Sequence, residues 1–124
     1  MSKRILIVED DDLIRLTLEQ LLTNQGYAVL SSATGKDTFE LISNFKPHLV
    51  LLDIYLGELD GREICREIKQ SFEFRNLPVI IISSLPDIYN TIVDVGANDI
   101  ITKPFNPRTL TNRIERQLSY SYIS

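Results

Sequence analysis

Acidic residues stand where two apolar runs give out: Glu9 and Asp10 follow Ile5-Leu6-Ile7-Val8, and Asp53 follows Leu49-Val50-Leu51-Leu52. Two further runs lead into other polar groups, Val79-Ile80-Ile81-Ile82 into Ser83-Ser84 and Asp99-Ile100-Ile101-Thr102 into Lys103-Pro104. If each run is a strand of one open parallel sheet, these groups share the crevice beyond the carboxyl ends of the strands, where ligands of such sheets bind. Three carboxylates brought together repel, and the physical remedies are a raised pKa or a bound cation. Mg2+ suits this set, because it is a hard ion held by one or two carboxylates, waters and phosphate oxygens. A carboxylate beside that ion can attack a phosphoryl group to form an acyl phosphate, the ion and Lys103 neutralising the phosphoryl oxygens. Ser83 would add a hydroxyl donor. The chemistry so assembled is reversible aspartyl phosphorylation, and it requires neither histidine nor cysteine.

The elements that must position these groups can be read from periodicity. Short apolar runs alternate five times with segments of helical period, which argues for βαβ units around a parallel sheet. The expected fold is α/β, a flavodoxin-like, doubly wound (βα)5 domain of strand order 2-1-3-4-5, with strands over 4–8, 28–32, 49–53, 78–83 and 98–102. That order makes neighbours of the four strands that carry chemistry and leaves the quiet one, ending near Ser31, at an edge. The first helix presents Ile14, Leu18, Leu21 and Leu22 on one face, is capped by Asp11 or Asp12 and stops at Gly26. A second, over 36–44, turns Phe39, Ile42 and Phe45 inward and ends before Pro47. The third starts at Asp60-Gly61, with Glu63 three residues past the cap, and buries Ile64, Cys65 and Ile68. A fourth is expected over 87–95 on topology alone, because β-branched Ile88, Thr91, Ile92, Val93 and Val95 favour a strand; it should be the least stable helix. The last opens with Asn106-Pro107, cap then proline, and buries Leu110, Ile114 and Leu118.

With 124 residues, 44% of them hydrophobic, the chain can build one core, expected over 1–118, with 119–124 as an unstructured tail. No stretch approaches the roughly 20 apolar residues of a membrane span, and Met1-Ser2-Lys3-Arg4 leads straight into a strand; a soluble, cytoplasmic protein is expected. One cysteine and one histidine exclude a disulfide framework and a histidine-rich metal site. A net charge of −4 removes the electrostatic drive for direct nucleic-acid binding.

From Lys3 to about Leu118 the sequence resembles the receiver domain of bacterial response regulators. The matching motifs are Ile-Leu-Ile-Val-Glu9-Asp10-Asp11, Leu-Val-Leu-Leu-Asp53-Ile-Tyr-Leu, Asp60-Gly61, Pro78-Val-Ile-Ile-Ile-Ser83-Ser84, Gly96-Ala97-Asn98-Asp99 and Thr102-Lys103-Pro104-Phe105, and their joint order is specific. The resemblance implies that Asp53 accepts phosphoryl from a sensor histidine kinase or a phosphotransfer protein. It implies that Glu9, Asp10, Asp53 and the backbone carbonyl of Tyr55 hold Mg2+, that Ser83 moves toward the phosphoryl group, that Lys103 pairs with it, and that the Lys103-Pro104 bond is cis. Readout to a downstream target or output domain would use the face of the fourth helix, fifth strand and fifth helix, which could also serve a homodimer. No enzyme activity is implied beyond self-catalysed phosphoryl uptake and loss. The chain departs from the pattern at Ile100, where many receivers carry an aromatic, at Gly57, where proline is common, and in a Ser83–Lys103 interval about two residues short by the chain logic of loop lengths. Two rivals are a haloacid-dehalogenase-like phosphatase using Asp10, suggested by Asp10-Asp11-Asp12, and a receiver-like binding module that is never phosphorylated.

The remaining polar residues take plainer roles. Asp11 and Asp12 fit helix capping. His48 is expected on the surface at the far end of the sheet, Ser84 and Cys65 in packing, and Arg108, Arg113 and Arg116 on a solvated face or docking patch.

Overall fold

Successive side chains of a strand point to opposite faces, and the central strands here are apolar at both parities, so both faces must be covered. The computed structural model, which describes residues 2–84 and 94–123, shows how. Strands β1 (Arg4–Val8), β2 (Ala28–Ser32), β3 (Leu49–Asp53), β4 (Val79–Ser83) and β5 (Asp99–Thr102) form one parallel sheet of order β2-β1-β3-β4-β5, as expected. Ile5, Ile7, Leu49, Leu51, Ile80 and Ile82 pack on one face with Leu18 and Leu22 of helix α1 (Asp12–Asn24) and Leu110 and Ile114 of the C-terminal helix (Pro107–Ile123). Leu6, Val8, Val50, Leu52, Val79 and Ile81 pack on the other with Ile42 of helix α2 (Thr38–Phe45) and Ile64, Cys65 and Ile68 of helix α3 (Gly61–Gln70). The helix expected over 87–95 lies outside the described residues but for positions 94 and 95.

Local rules set the element ends. Asp11 caps α1, accepting from the Ile14 N–H at 3.0 Å, and Asn106 Oδ1 accepts from the N–H groups of Arg108 and Thr109 ahead of Pro107. Lys46 closes α2 in the left-handed region at φ 53°, before Pro47.

Three expectations need correction, and one small element went unforeseen. Residues 119–123 continue the C-terminal helix instead of forming a loose tail, since no glycine or proline interrupts it and each added residue brings one more backbone bond. Residues 55–60 form a small antiparallel hairpin, Tyr55–Leu56 against Leu59–Asp60, too short for periodicity to reveal. Ser84 is exposed, one residue past the end of β4, beyond the helices that cover the sheet. His48 is half-buried: its Nδ1 accepts from the Arg4 N–H at 2.9 Å and its own N–H donates to the Arg4 carbonyl at 2.7 Å, tying the starts of β1 and β3 together.

Candidate metal centre

Register decides which polar groups meet. Val8 pairs with Leu52, Asp53 with Ile82 and Ser83 with Thr102, so β1, β3, β4 and β5 end at one level and release Glu9, Asp53, Ser83 and Lys103 onto one rim. Each group is then held by its local backbone. The Glu9 N–H donates to the Ser32 carbonyl at 3.0 Å, and the Glu9 carbonyl accepts from Arg15 Nη1 at 3.0 Å. Asp53 Oδ1 accepts from the Ile54 N–H at 2.8 Å. The Lys103 N–H donates to the Ser83 carbonyl at 3.0 Å, and the Lys103-Pro104 peptide is cis, as the family resemblance implied.

The side chains converge. Lys103 Nζ lies 2.7 Å from Glu9 Oε1 and 3.3 Å from Asp53 Oδ2, and both carboxylates are buried, at 2% and 4% exposure. Glu9, Asp10 and Asp53 each bring a carboxylate oxygen within 4.8 Å of the others, with Asp10 exposed. Ser83 is fully buried at the end of the adjoining strand. Glu9, Asp10, Asp53 and Lys103 are therefore brought to one place, and strand register sets Ser83 at the same rim.

One ammonium among three carboxylates leaves an excess of negative charge. Burial, then the hydrogen bond and the charge of Asp53, push the Glu9 carboxyl above its ordinary pKa, against the opposing pull of Lys103. Burial alone would lower Lys103, but hydrogen bonding to Glu9 and the charges of Asp53 and Glu9 outweigh it and its pKa rises. Glu9 Oε1 is buried and meets the Lys103 ammonium at 2.7 Å with no second donor shown on it, so it keeps a lone pair for coordination. An all-oxygen donor set with surplus negative charge and a buried carboxylate oxygen that has a lone pair to spare fits a hard divalent cation such as Mg2+.

Two residues that shape the site escaped the sequence reading. Gly61, the first residue of α3, packs so closely on the end of β3 that a Cβ built on it would stand 1.9 Å from the Asp53 carbonyl oxygen. Arg15 reaches back from α1 to the Glu9 carbonyl and to Asp12 Oδ1, at 2.6 Å. The Asp-Gly pair and an arginine six residues after Glu9 were visible as residues, but their contacts depend on a loop conformation that composition does not set.

Residues 5–115 match the family model of the response regulator receiver domain. The chain is 38% identical over 116 residues to the transcriptional regulatory protein AfsQ1 of Streptomyces coelicolor, covering 92% of this chain and 50% of that protein. It is 31% identical over 126 residues to the alkaline phosphatase synthesis transcriptional regulatory protein PhoP of Bacillus subtilis, covering all of this chain and 52% of that protein. It thus spans about half the length of these curated relatives. A solved CheY-like response regulator receiver domain protein from Methanospirillum hungatei superposes with a TM-score of 0.90 at 31% identity, over 98% of each chain. The parallel sheet, the acidic rim with its lysine and these matches together establish that the chain belongs to the response regulator receiver domains of two-component signalling.

Proposed function

We propose that this domain, spanning about residues 1–118, takes a phosphoryl group onto Asp53 and passes the change to an output partner. The observation that carries the reading is Lys103 Nζ standing between the Glu9 and Asp53 carboxylates, with Asp10 in reach of both. One Asp53 carboxylate oxygen attacks phosphorus, the bond from phosphorus to the donor's imidazole nitrogen breaks, and the electron pair leaves with the imidazole. Lys103, charged and half-buried, pairs with the phosphoryl oxygens, and Ser83 donates its hydroxyl to one of them. Glu9, Asp10, Asp53 and the Tyr55 carbonyl would hold Mg2+, which when bound supplies charge neutralisation to the transferring group. Asp53, rather than Asp10, is the nucleophile because Lys103 and the Ile54 N–H orient it inside the rim, whereas Asp10 is exposed.

The domain works as a switch and not as an enzyme with a separate substrate, its only chemistry being its own phosphorylation and hydrolysis. A cytoplasmic histidine kinase or phosphotransfer protein supplies the phosphoryl group. None of the helices among the described residues is long and apolar enough to cross a membrane. The relatives are named transcriptional regulators, and with a net charge of −4 here any nucleic-acid contact is assigned to an output domain. Output is assigned to the face of β5 and the C-terminal helix, with the segment expected to be the fourth helix, where Arg113 Nη1 meets Asp99 Oδ1 at 2.6 Å and Ile100 takes the place of an aromatic. Beryllofluoride, a phosphoryl mimic, should bind the parent domain with Mg2+ and fail to bind Asp53→Asn. Equal uptake by both proteins would remove Asp53 from its role.

A further inference from the structure

We infer that Arg15 is a positioning residue for the cation site, a reading that rests on the Mg2+ site proposed above. Glu9 to Asp12 is a run of four acidic residues joining β1 to α1, and mutual repulsion works to splay it. Helical side chains lean toward their own N-terminus, so Arg15 is aimed back over this run. Its guanidinium closes on both ends of it: Nη1 donates to the Glu9 carbonyl at 3.0 Å and Nη2 to Asp12 Oδ1 at 2.6 Å.

The plainer account is an i, i+3 helix ion pair worth a few tenths of a kcal/mol. It covers the Asp12 contact, whose carboxylate is 83% exposed, but leaves the other half of the fork unexplained. The Arg15 side chain is only 17% exposed, and its second donor goes to the main chain of Glu9, the residue whose side chain is buried against Lys103. Holding that carbonyl fixes where the Glu9 and Asp10 side chains leave the backbone. A planar two-pronged donor does this, and the single ammonium of lysine does not.

The experiment measures Mg2+ affinity calorimetrically, at low and at moderate salt, for the parent, Arg15→Lys and Arg15→Met, with each melting temperature taken in EDTA. Both variants should raise the Mg2+ Kd ~10-fold, the usual scale for losing a group that orients a metal ligand, and by the same factor at both salt concentrations. Unchanged Kd in both variants overturns the inference. So does parent-like affinity in Arg15→Lys with loss confined to Arg15→Met, because charge and not the fork would then be what matters. If Arg15→Met does not fold, Asp12→Asn, which loosens one prong, should still raise the Kd, and an unchanged value overturns the inference equally. Absence of Mg2+ binding by the parent instead defeats the metal-site reading on which the inference stands.

Discussion

Gly61 abuts the main-chain carbonyl of Asp53: a Cβ on Gly61 would lie 1.9 Å from that oxygen and 2.9 Å from its carbon, while the Gly61 N–H donates to the Ile54 carbonyl at 2.7 Å. The start of α3 is thereby locked to the residue proposed above as the phosphoryl acceptor. Its φ is not in the left-handed region, so glycine is required by space and not by dihedral. Backbone atoms on both sides leave no flexible group to move aside. Gly61→Ala should therefore destabilise the fold by ~1–3 kcal/mol, the scale of overpacking, read as a lower urea midpoint with unchanged slope. It should also weaken beryllofluoride uptake, since relief of the clash displaces Asp53. A parent-like midpoint would mean that the close approach is not there.

The sheet and the acidic rim were legible in the sequence because they rest on short-range rules. Continuous apolar runs ending in Glu9, Asp53, Ser83 and before Lys103 state which strands are central and which end of each is polar. Asn106-Pro107 and Asp60-Gly61 state where helices begin, by capping chemistry confined to a few residues. Gly61 against Asp53, Arg15 over Glu9 and His48 on Arg4 were not legible in this sense. Each joins residues through a loop path, and one residue of slip in the loop would send the same side chain elsewhere. The hairpin at 55–60 failed for a related reason, two-residue strands carrying no period to detect.

Metal-free, the site holds more carboxylate than Lys103 can neutralise, and the Glu9 pKa is raised by burial first and then by the hydrogen bond and charge of Asp53. Asp53→Asn removes one of those charges, keeps an Oδ1 for the Ile54 N–H and leaves Lys103 paired with Glu9. In EDTA the variant should be more stable than the parent by ~1 kcal/mol, the usual scale of a single substitution, because one of two adjacent like charges is gone. Adding Mg2+ should reverse the ranking, because a ligand of the native state stabilises according to its affinity and the parent binds more tightly. Melting curves with and without Mg2+ test both halves. A variant less stable than the parent in EDTA would show that Asp53 is not under electrostatic load.

His48 gives the fold a pH dependence remote from the site. Burial first, then Arg4 and Lys3, lower its pKa from the ordinary 6.5, and protonation would also end the acceptance of the Arg4 N–H by Nδ1. The unfolded chain therefore binds the proton more readily than the folded one. Stability should be full above about pH 6.5 and fall as pH drops below it, down to the folded pKa, where the loss levels off. His48→Asn offers an Oδ1 acceptor that does not titrate in this range. Urea midpoints between about pH 5 and 7 should slope less in His48→Asn than in the parent. Parallel profiles would assign that slope to other groups.

Cys65 lies fully buried on α3, its Sγ directed at the Val95 carbonyl at 3.7 Å, and burial pushes its thiol pKa up to about 11. Two barriers then protect it. At pH 8 only about one thiol in a thousand would be thiolate, the form that attacks disulfide reagents, and the reagent cannot reach the sulfur without separating α3 from the segment around Val95. A disulfide probe should leave the native domain unlabelled for as long as the α3 contact holds, and titrate one thiol at once in denaturing urea. Labelling below the unfolding midpoint should follow the opening of this contact, so its rate should rise in Gly96→Ala, where φ is +78° and a side chain is strained beside Lys69. Rapid labelling of the untreated parent would place Cys65 at the surface and undo the packing of α3 described above.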